Sequence, residues 1–198
     1  MNDENIFYKL GDCAEIGAGY PLRGAASKLD DGESGLIRLQ NVSDGTRIQF
    51  DEVERVTLPK NRKSDFLSAG DIIFAARGTQ NFAYHIPEMD FPAVCAPQFF
   101  VIKASQPKVT LPKYLTWYLN NSPAQHYFDS VAVGTAMKNI RRTAVENLEV
   151  PVPSLPKQHA IVNLWETAIA EEKTLQSLIQ NRKNLLAGLA QGLSRKGQ

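Results

Sequence analysis

The sequence predicts an α+β domain over residues 1–153, followed by one long C-terminal α-helix over residues 154–198. Three observations carry this. Short apolar runs bounded by turn residues dominate the first hundred positions, and helical patterns cluster after Thr110. Strands first and helices later favour α+β over a doubly wound sheet. Pro151, Pro153 and Pro156 then punctuate the chain, and the next 31 residues hold neither Gly nor Pro. A proline hinge feeding an uninterrupted stretch reads as the start of a long helix.

The elements follow in order. Tyr8-Lys9-Leu10 opens a short strand, and Asp12 caps a short helix through Ile16. Leu36 to Leu39 is a short apolar run. Asp44-Gly45 is a turn signal before a strand at Arg47 to Phe50. Val53 to Leu58 alternates weakly. Ala69-Gly70-Asp71 turns into Ile72 to Ala76, a strand of the fully buried type. Phe82 to Ile86 and Phe99 to Ile102 are further strands. Leu111-Pro112 starts a helix through Leu119, with proline in its first turn, and Pro123 starts another through Val131. Gly134 to Asn139 is a loop, and Thr143 caps a short helical turn ending near Leu148.

The last segment has a repeat. With Ile161 at position a, the a series is Ile161, Ala168, Leu175, Arg182, Leu189, and the d series is Leu164, Glu171, Leu178, Leu185, Gly192. Seven of these ten are apolar, and Trp165, Ile179, Leu186 and Leu193 widen the stripe at e. The stripe is broader than a two-stranded seam and needs a partner in water. It packs either on its own domain or, in the sharper reading, against a second copy as a coiled-coil-like antiparallel pair. Ile161, Leu164, Leu175, Leu178, Leu185 and Leu189 are the predicted dimer seam. Arg182 and Glu171 are polar register devices or snorkelling side chains.

Composition narrows the function classes. Lys and Arg number 22 against 21 Asp and Glu, so the formal charge is +1 and a generic polyanion binder is disfavoured. The charge is uneven: residues 1–153 sum to −2 and residues 154–198 to +3. No run of about 18 apolar residues predicts a membrane span. Cys13 and Cys95 lie far apart and form no metal or disulfide framework, which suits a cytoplasmic location. The acidic N-terminus does not read as a signal peptide.

Catalytic motifs do not stand out. Gly17 and Gly19 begin a G-x-G, but the third glycine position holds Leu22, so a turn is favoured over a nucleotide loop. His85, His126 and His159 are isolated in sequence. Glu171-Glu172-Lys173 lies mid-helix and reads as a solvated face. Cys95, beside Pro97, has no basic neighbour and reads as buried.

What remains is a set of polar loops at strand ends. Arg77-Gly78-Thr79-Gln80-Asn81 follows the buried strand. Lys138-Asn139-Ile140-Arg141-Arg142 carries three cations in five residues, and Arg38, Gln40 and Asn41 flank another strand end. Arg and Lys match guanine edges, Asn and Gln match adenine edges, and all of these hold phosphates. Ordinary polar surface loops are the competing reading; the residues these loops offer for nucleic-acid contact are Arg38, Asn41, Arg77, Thr79, Gln80, Lys138, Asn139, Arg141 and Arg142. Arg77, Thr79 and Gln80 are assigned to base edges or phosphates, and the 138–142 group to phosphates.

A family resemblance joins these pieces. The stretches Gly35-Leu36-Ile37-Arg38-Leu39-Gln40-Asn41-Val42-Ser43-Asp44-Gly45, Leu67 to Thr79, Tyr114 to Asn120, Gly134 to Ile140, Leu148-Glu149-Val150-Pro151-Val152-Pro153 and Pro156 to Ile161 occur in this order before a long helix. Together they resemble half of a type I restriction-modification specificity subunit, over about residues 8–195. The sequence departs from the family pattern at Lys157, where the family often has Glu before the Gln.

The resemblance implies a mixed α/β target recognition domain and a conserved helix. That helix would space two recognition domains and dock methyltransferase subunits. It implies a non-catalytic chain without cofactor, double-stranded DNA as ligand, and methyltransferase and restriction subunits as partners. S-adenosylmethionine chemistry, with a flipped target adenine, would belong to the methyltransferase. One domain and one helix imply a homodimer reading an interrupted palindrome. The competing readings are a helical adaptor or decoy that binds methyltransferase subunits without reading DNA and, further off, a stand-alone nuclease.

Overall fold

The computed structural model describes residues 6–21, 32–43, 47–58, 66–105, 109–134 and 137–194. These form two units, Met1–His159 and Ala160–Gln198.

The first unit opens with β1 (Ile6–Lys9), a one-turn helix α1 (Leu10–Cys13) and β2 (Ala14–Ala18). The helix expected from Asp12 to Ile16 is thus shorter and earlier. Ala14 and Ile16 are buried while Glu15 is exposed, so period-two burial makes this segment a strand. Next come β3 (Ser34–Ile37), a 3₁₀ turn at Leu39–Asn41, β4 (Val42–Ser43) and β5 (Arg47–Ile48). The β4 and β5 strands pair antiparallel, and the Asp44-Gly45 turn signal between them lies outside the described residues. A second 3₁₀ turn at Phe50–Glu52 replaces the end of the expected strand, and β6 (Glu54–Val56) follows.

The centre is built on β7 (Ile72–Ala75), whose four residues are all buried. Its neighbours follow as β8 (Arg77–Gly78), β9 (Ala83–His85), β10 (Ala93–Cys95) and β11 (Phe99–Ala104). The four-stranded sheet has the order β2-β11-β7-β9 and is antiparallel throughout. Beside it, β10 pairs parallel with β3, and β3 pairs antiparallel with β6. The β10 strand was not expected, because three residues between Pro92 and Pro97 give too little periodicity to detect.

Alternation along β7 divides the core. Ile73 and Ala75 join Ile37, Ile86, Cys95 and Phe99 in one cluster. Phe74 stacks instead on Phe128, with ring centroids 4.7 Å apart. Phe128 belongs to α3 (Ser122–Val131), which follows α2 (Pro112–Leu119), so a helical layer covers that face. The second glycine of the G-x-G pair is explained by packing: a Cβ on Gly19 would lie 2.2 Å from the Ala96 carbonyl oxygen. Only glycine allows that approach.

The unit closes with β12 (Lys138–Asn139), α4 (Arg142–Glu146) and β13 (Glu149–Val152). Lys138 and Asn139, expected in a loop, are therefore in a strand. No side chain caps α4; Arg141 holds its N-cap position in extended conformation, rather than Thr143. The β13 strand pairs antiparallel with β1, and Tyr114 and Tyr118 of α2 donate their hydroxyls to the Pro151 and Glu149 carbonyls at 2.6 and 3.1 Å.

The last helix, α5, runs Leu155–Ser194, 40 residues and roughly 60 Å at 1.5 Å per residue. Its first residues belong to the first unit. There Gln158 is fully buried. Its side-chain oxygen accepts from the Leu111 amide at 2.9 Å, and its nitrogen donates to the Val109 and Pro153 carbonyls, each at 2.8 Å. In the second unit, Leu164, Leu175, Leu178, Ile179, Leu185, Leu186 and Leu189 are 57–72% exposed, and Ile161 is half-buried. No helix among the described residues is long and apolar enough to cross a membrane.

Candidate nucleic-acid interface

Two of the polar loops meet through backbone pairing. The β8 and β12 strands form an antiparallel ribbon in which Lys138 lies opposite Gly78 and Asn139 opposite Arg77. Three anchors hold this ribbon to the core. Ile140 donates its amide to the Ala76 carbonyl at 2.8 Å, Ala76 donates to Gln98 at 3.0 Å, and Arg77 donates to the same carbonyl at 3.2 Å. Val133 and Asn139 exchange two backbone bonds at 3.0 and 3.1 Å, closing the loop ahead of β12. Gly134 makes that loop possible. Its φ is +96°, and a Cβ there would lie 2.6 Å from the Met137 carbonyl oxygen.

The third polar segment touches the same ribbon: a Cβ on Gly78 would contact the Leu39 side chain at 3.4 Å. The 77–78 and 138–139 segments are therefore paired, and the 38–41 turn reaches them through Leu39, although all three are widely separated in sequence.

Within this group the side chains differ. Arg77, Thr79, Gln80, Asn139, Arg141 and Arg142 are exposed, and Lys138 and Arg38 are half-buried. Among the described residues, Arg77 and Arg141 have no acidic partner. Arg142 pairs with Glu146 at 2.7 Å along one helical turn, Lys138 pairs with Asp129, and Arg38 pairs with Glu54 at 2.6 Å. Each of these three must exchange its carboxylate to bind a phosphate, which lowers its net gain.

Asn41 is corrected. It is 2% exposed, its side-chain oxygen accepts from the Arg38 amide at 2.9 Å, and its nitrogen donates to the Glu52 carbonyl at 3.1 Å. Both ends of the amide are bonded inside the fold, so Asn41 shapes the 38–41 turn and does not reach a ligand. Its spacing from Arg38 marked the right loop but not the role.

Sequence reasoning missed two positioning residues. Asn81 is buried and donates to the Ala75 carbonyl at 2.7 Å, fixing the loop that carries Thr79 and Gln80. Asn120, the C-cap of α2, bonds both the amide and the carbonyl of Ala83 at 2.8 Å, tying the next strand to the helical layer. An asparagine beside an apolar run is the signal each offered. Nucleophilic chemistry finds no support at Cys95, where burial pushes the thiol up to about 12. Burial also raises the Cys13 thiol.

Comparison with known proteins decides the family. The model for the type I restriction modification DNA specificity domain matches residues 2–181. This chain belongs to that family. Curated members of this kind include the StySPI specificity subunit of Salmonella potsdam, 23% identical over 180 residues. Another is the EcoKI specificity subunit of Escherichia coli, 24% identical over 187 residues. Each alignment covers 89% of this chain but only 38% and 40% of the relative, so the chain spans about two-fifths of their length. Among solved structures, the S subunit from M. genitalium superposes with a TM-score of 0.61 at 19% identity, over 92% of this chain and 44% of that one. The HsdS subunit from Thermoanaerobacter tengcongensis gives 0.63 at 14% identity, over 89% and 41%. Both likenesses bear on the fold: an α+β specificity domain with a long C-terminal helix.

Proposed function

We propose that this chain is the DNA sequence-recognition component of a type I restriction-modification system. In this reading it is non-catalytic and directs methyltransferase and restriction subunits to their site. The observation that carries the proposal is the convergence of three polar loops around one anchored ribbon, in a chain of the DNA specificity family. The major groove admits a two-stranded β-ribbon, and side chains on such a ribbon read base edges. Arg77, Thr79 and Gln80 take the base-reading role. Arg141, with Lys138, Asn139 and Arg142 beside it, takes phosphates.

The helix supplies the second half of the proposal. Among the described residues, seven large apolar side chains stand exposed along α5, more than a solitary helix leaves to water. A second copy packed antiparallel covers them and restores a two-domain layout. Two identical domains then read two identical half-sites, and the target is an interrupted palindrome. S-adenosylmethionine belongs to the methyltransferase partner, and the assembly works in the cytoplasm. The −2 balance of residues 1–153 makes DNA affinity of the chain alone weak, with most phosphate attraction supplied by the partners.

Selection of random duplexes by the chain reconstituted with methyltransferase subunits tests this. Recovery of a defined motif is expected. A featureless pool would support instead the adaptor reading, in which α5 holds methyltransferase subunits and the ribbon reads nothing.

A further inference from the structure

Met137 is 67% exposed, among the most exposed of the large apolar side chains described outside α5, and Val133 beside it is 53% exposed. It sits one residue before β12. The pairing ends at Lys138 and Gly78, so Met137 and Thr79 continue the chain from the same end of the ribbon. Gln80 follows Thr79, also exposed. This end of the ribbon therefore carries an exposed apolar side chain, a hydroxyl and an amide, close in sequence to the cations Lys138 and Arg77. Protein-docking patches are contiguous and apolar at their centre. Met137 and Val133 alone, beside cations on a two-stranded ribbon, make no such patch and fit a polyanion whose grooves carry isolated methyl groups.

We propose that the tip of the β8–β12 ribbon reads an A·T pair in the major groove, with Met137 packed on the thymine methyl. Gln80 supplies the adenine half, since its amide matches the N6 and N7 edge. Met137 supplies the thymine half, since the C5 methyl is the one apolar group a base pair shows there. An unbranched, polarizable side chain adapts to that contact. The turn at Gly134 is what presents it: the Met137 carbonyl folds against Gly134, where no Cβ fits. The assignment rests on the DNA-recognition reading above and adds a base identity to it.

The test uses the reconstituted complex and its selected duplex. Each thymine of a half-site is replaced in turn by uracil, which removes only the C5 methyl. With the unaltered chain, one such replacement weakens binding roughly fourfold, the value of one buried methyl. With Met137→Ala, that same replacement has no further effect, and Met137→Leu retains the sensitivity. The proposal is overturned if Met137→Ala leaves the uracil effect intact. It is equally overturned if Met137→Ala weakens all sequences alike and reduces DNA bending, the signature of an intercalating wedge. A defined half-site without thymine overturns it and leaves DNA recognition standing. Failure to select any motif removes DNA recognition itself and this assignment with it.

Discussion

In the first unit Ile72, Ile73, Phe74 and Ile102 are fully buried, whereas in the second Leu175, Leu178, Leu185 and Leu189 are 58–60% exposed. The two units spend similar apolar side chains on opposite ends. The domain closes a core around β7 and leaves polar residues at its strand ends. The helix leaves its apolar stripe exposed. Under the proposed function this is a division of labour: the domain is stable where it would read DNA, and the helix is apolar where it would assemble. The two should fail independently when mutated.

The largest effect is expected on the helix. Leu178→Glu with Leu185→Glu removes four buried leucines per proposed dimer, roughly 6 kcal/mol at about 1.5 kcal/mol each. Light scattering after size exclusion should show a dimer become a monomer, while the thermal midpoint of the domain stays unchanged. A midpoint that falls with them would mean that the stripe belongs to the domain's own core.

Next is Gln158, in the first turn of α5 yet part of the first unit. Gln158→Leu leaves the Leu111 amide and the Val109 and Pro153 carbonyls without their partner, so unfolding of the domain should lose about 3 kcal/mol in a denaturant titration. Its dimer should persist as long as the domain is folded.

Smaller effects separate the roles at the ribbon. Arg77→Ala should cost about 1–3 kcal/mol in DNA binding and relax preference at one position. Arg141→Ala should weaken all sequences alike and reduce the salt slope by about one. A single-base change of preference for Arg141→Ala would reverse its assignment. Neither substitution should alter dimer mass.

The smallest effect is a pH dependence seen only in alkaline solution. Burial raises the Cys95 thiol from 9.0 to about 12, so the folded state resists losing a proton that the unfolded chain releases. Its contribution is complete below pH 9 and is lost as pH rises toward 12. Thermal melts from pH 7 to 11 should show a midpoint that falls only above pH 9, with Cys95→Ala flattening part of the slope.

Much of this was legible in the sequence because it depends on local pattern. The run at Ile72 to Ala76, the prolines opening α2 and α3, and the Gly- and Pro-free stretch of α5 each declare themselves within one window. Residues 14–18 and Ala93–Cys95 did not, because their strands are specified by partners elsewhere, β11 and β3. The same holds for the candidate interface. Composition flagged residues 77–80 and 138–142 separately, but their pairing is a long-range backbone event. Asn41 shows the limit most clearly: residue type suggested a base contact, and only the fold reveals that its amide is consumed by Arg38 and Glu52. Met137 lies in the polar loop that leads into β12 but is apolar itself, and only its exposure drew attention to it.

The central claim is that two copies of this chain, joined through α5, read two halves of one site. The mass of the reconstituted complex on its selected duplex, measured by light scattering, tests this most directly. Two copies per duplex, on a motif whose halves are inverted repeats about a spacer, is the predicted result. One copy per duplex, or an asymmetric motif with no second half-site, would contradict it.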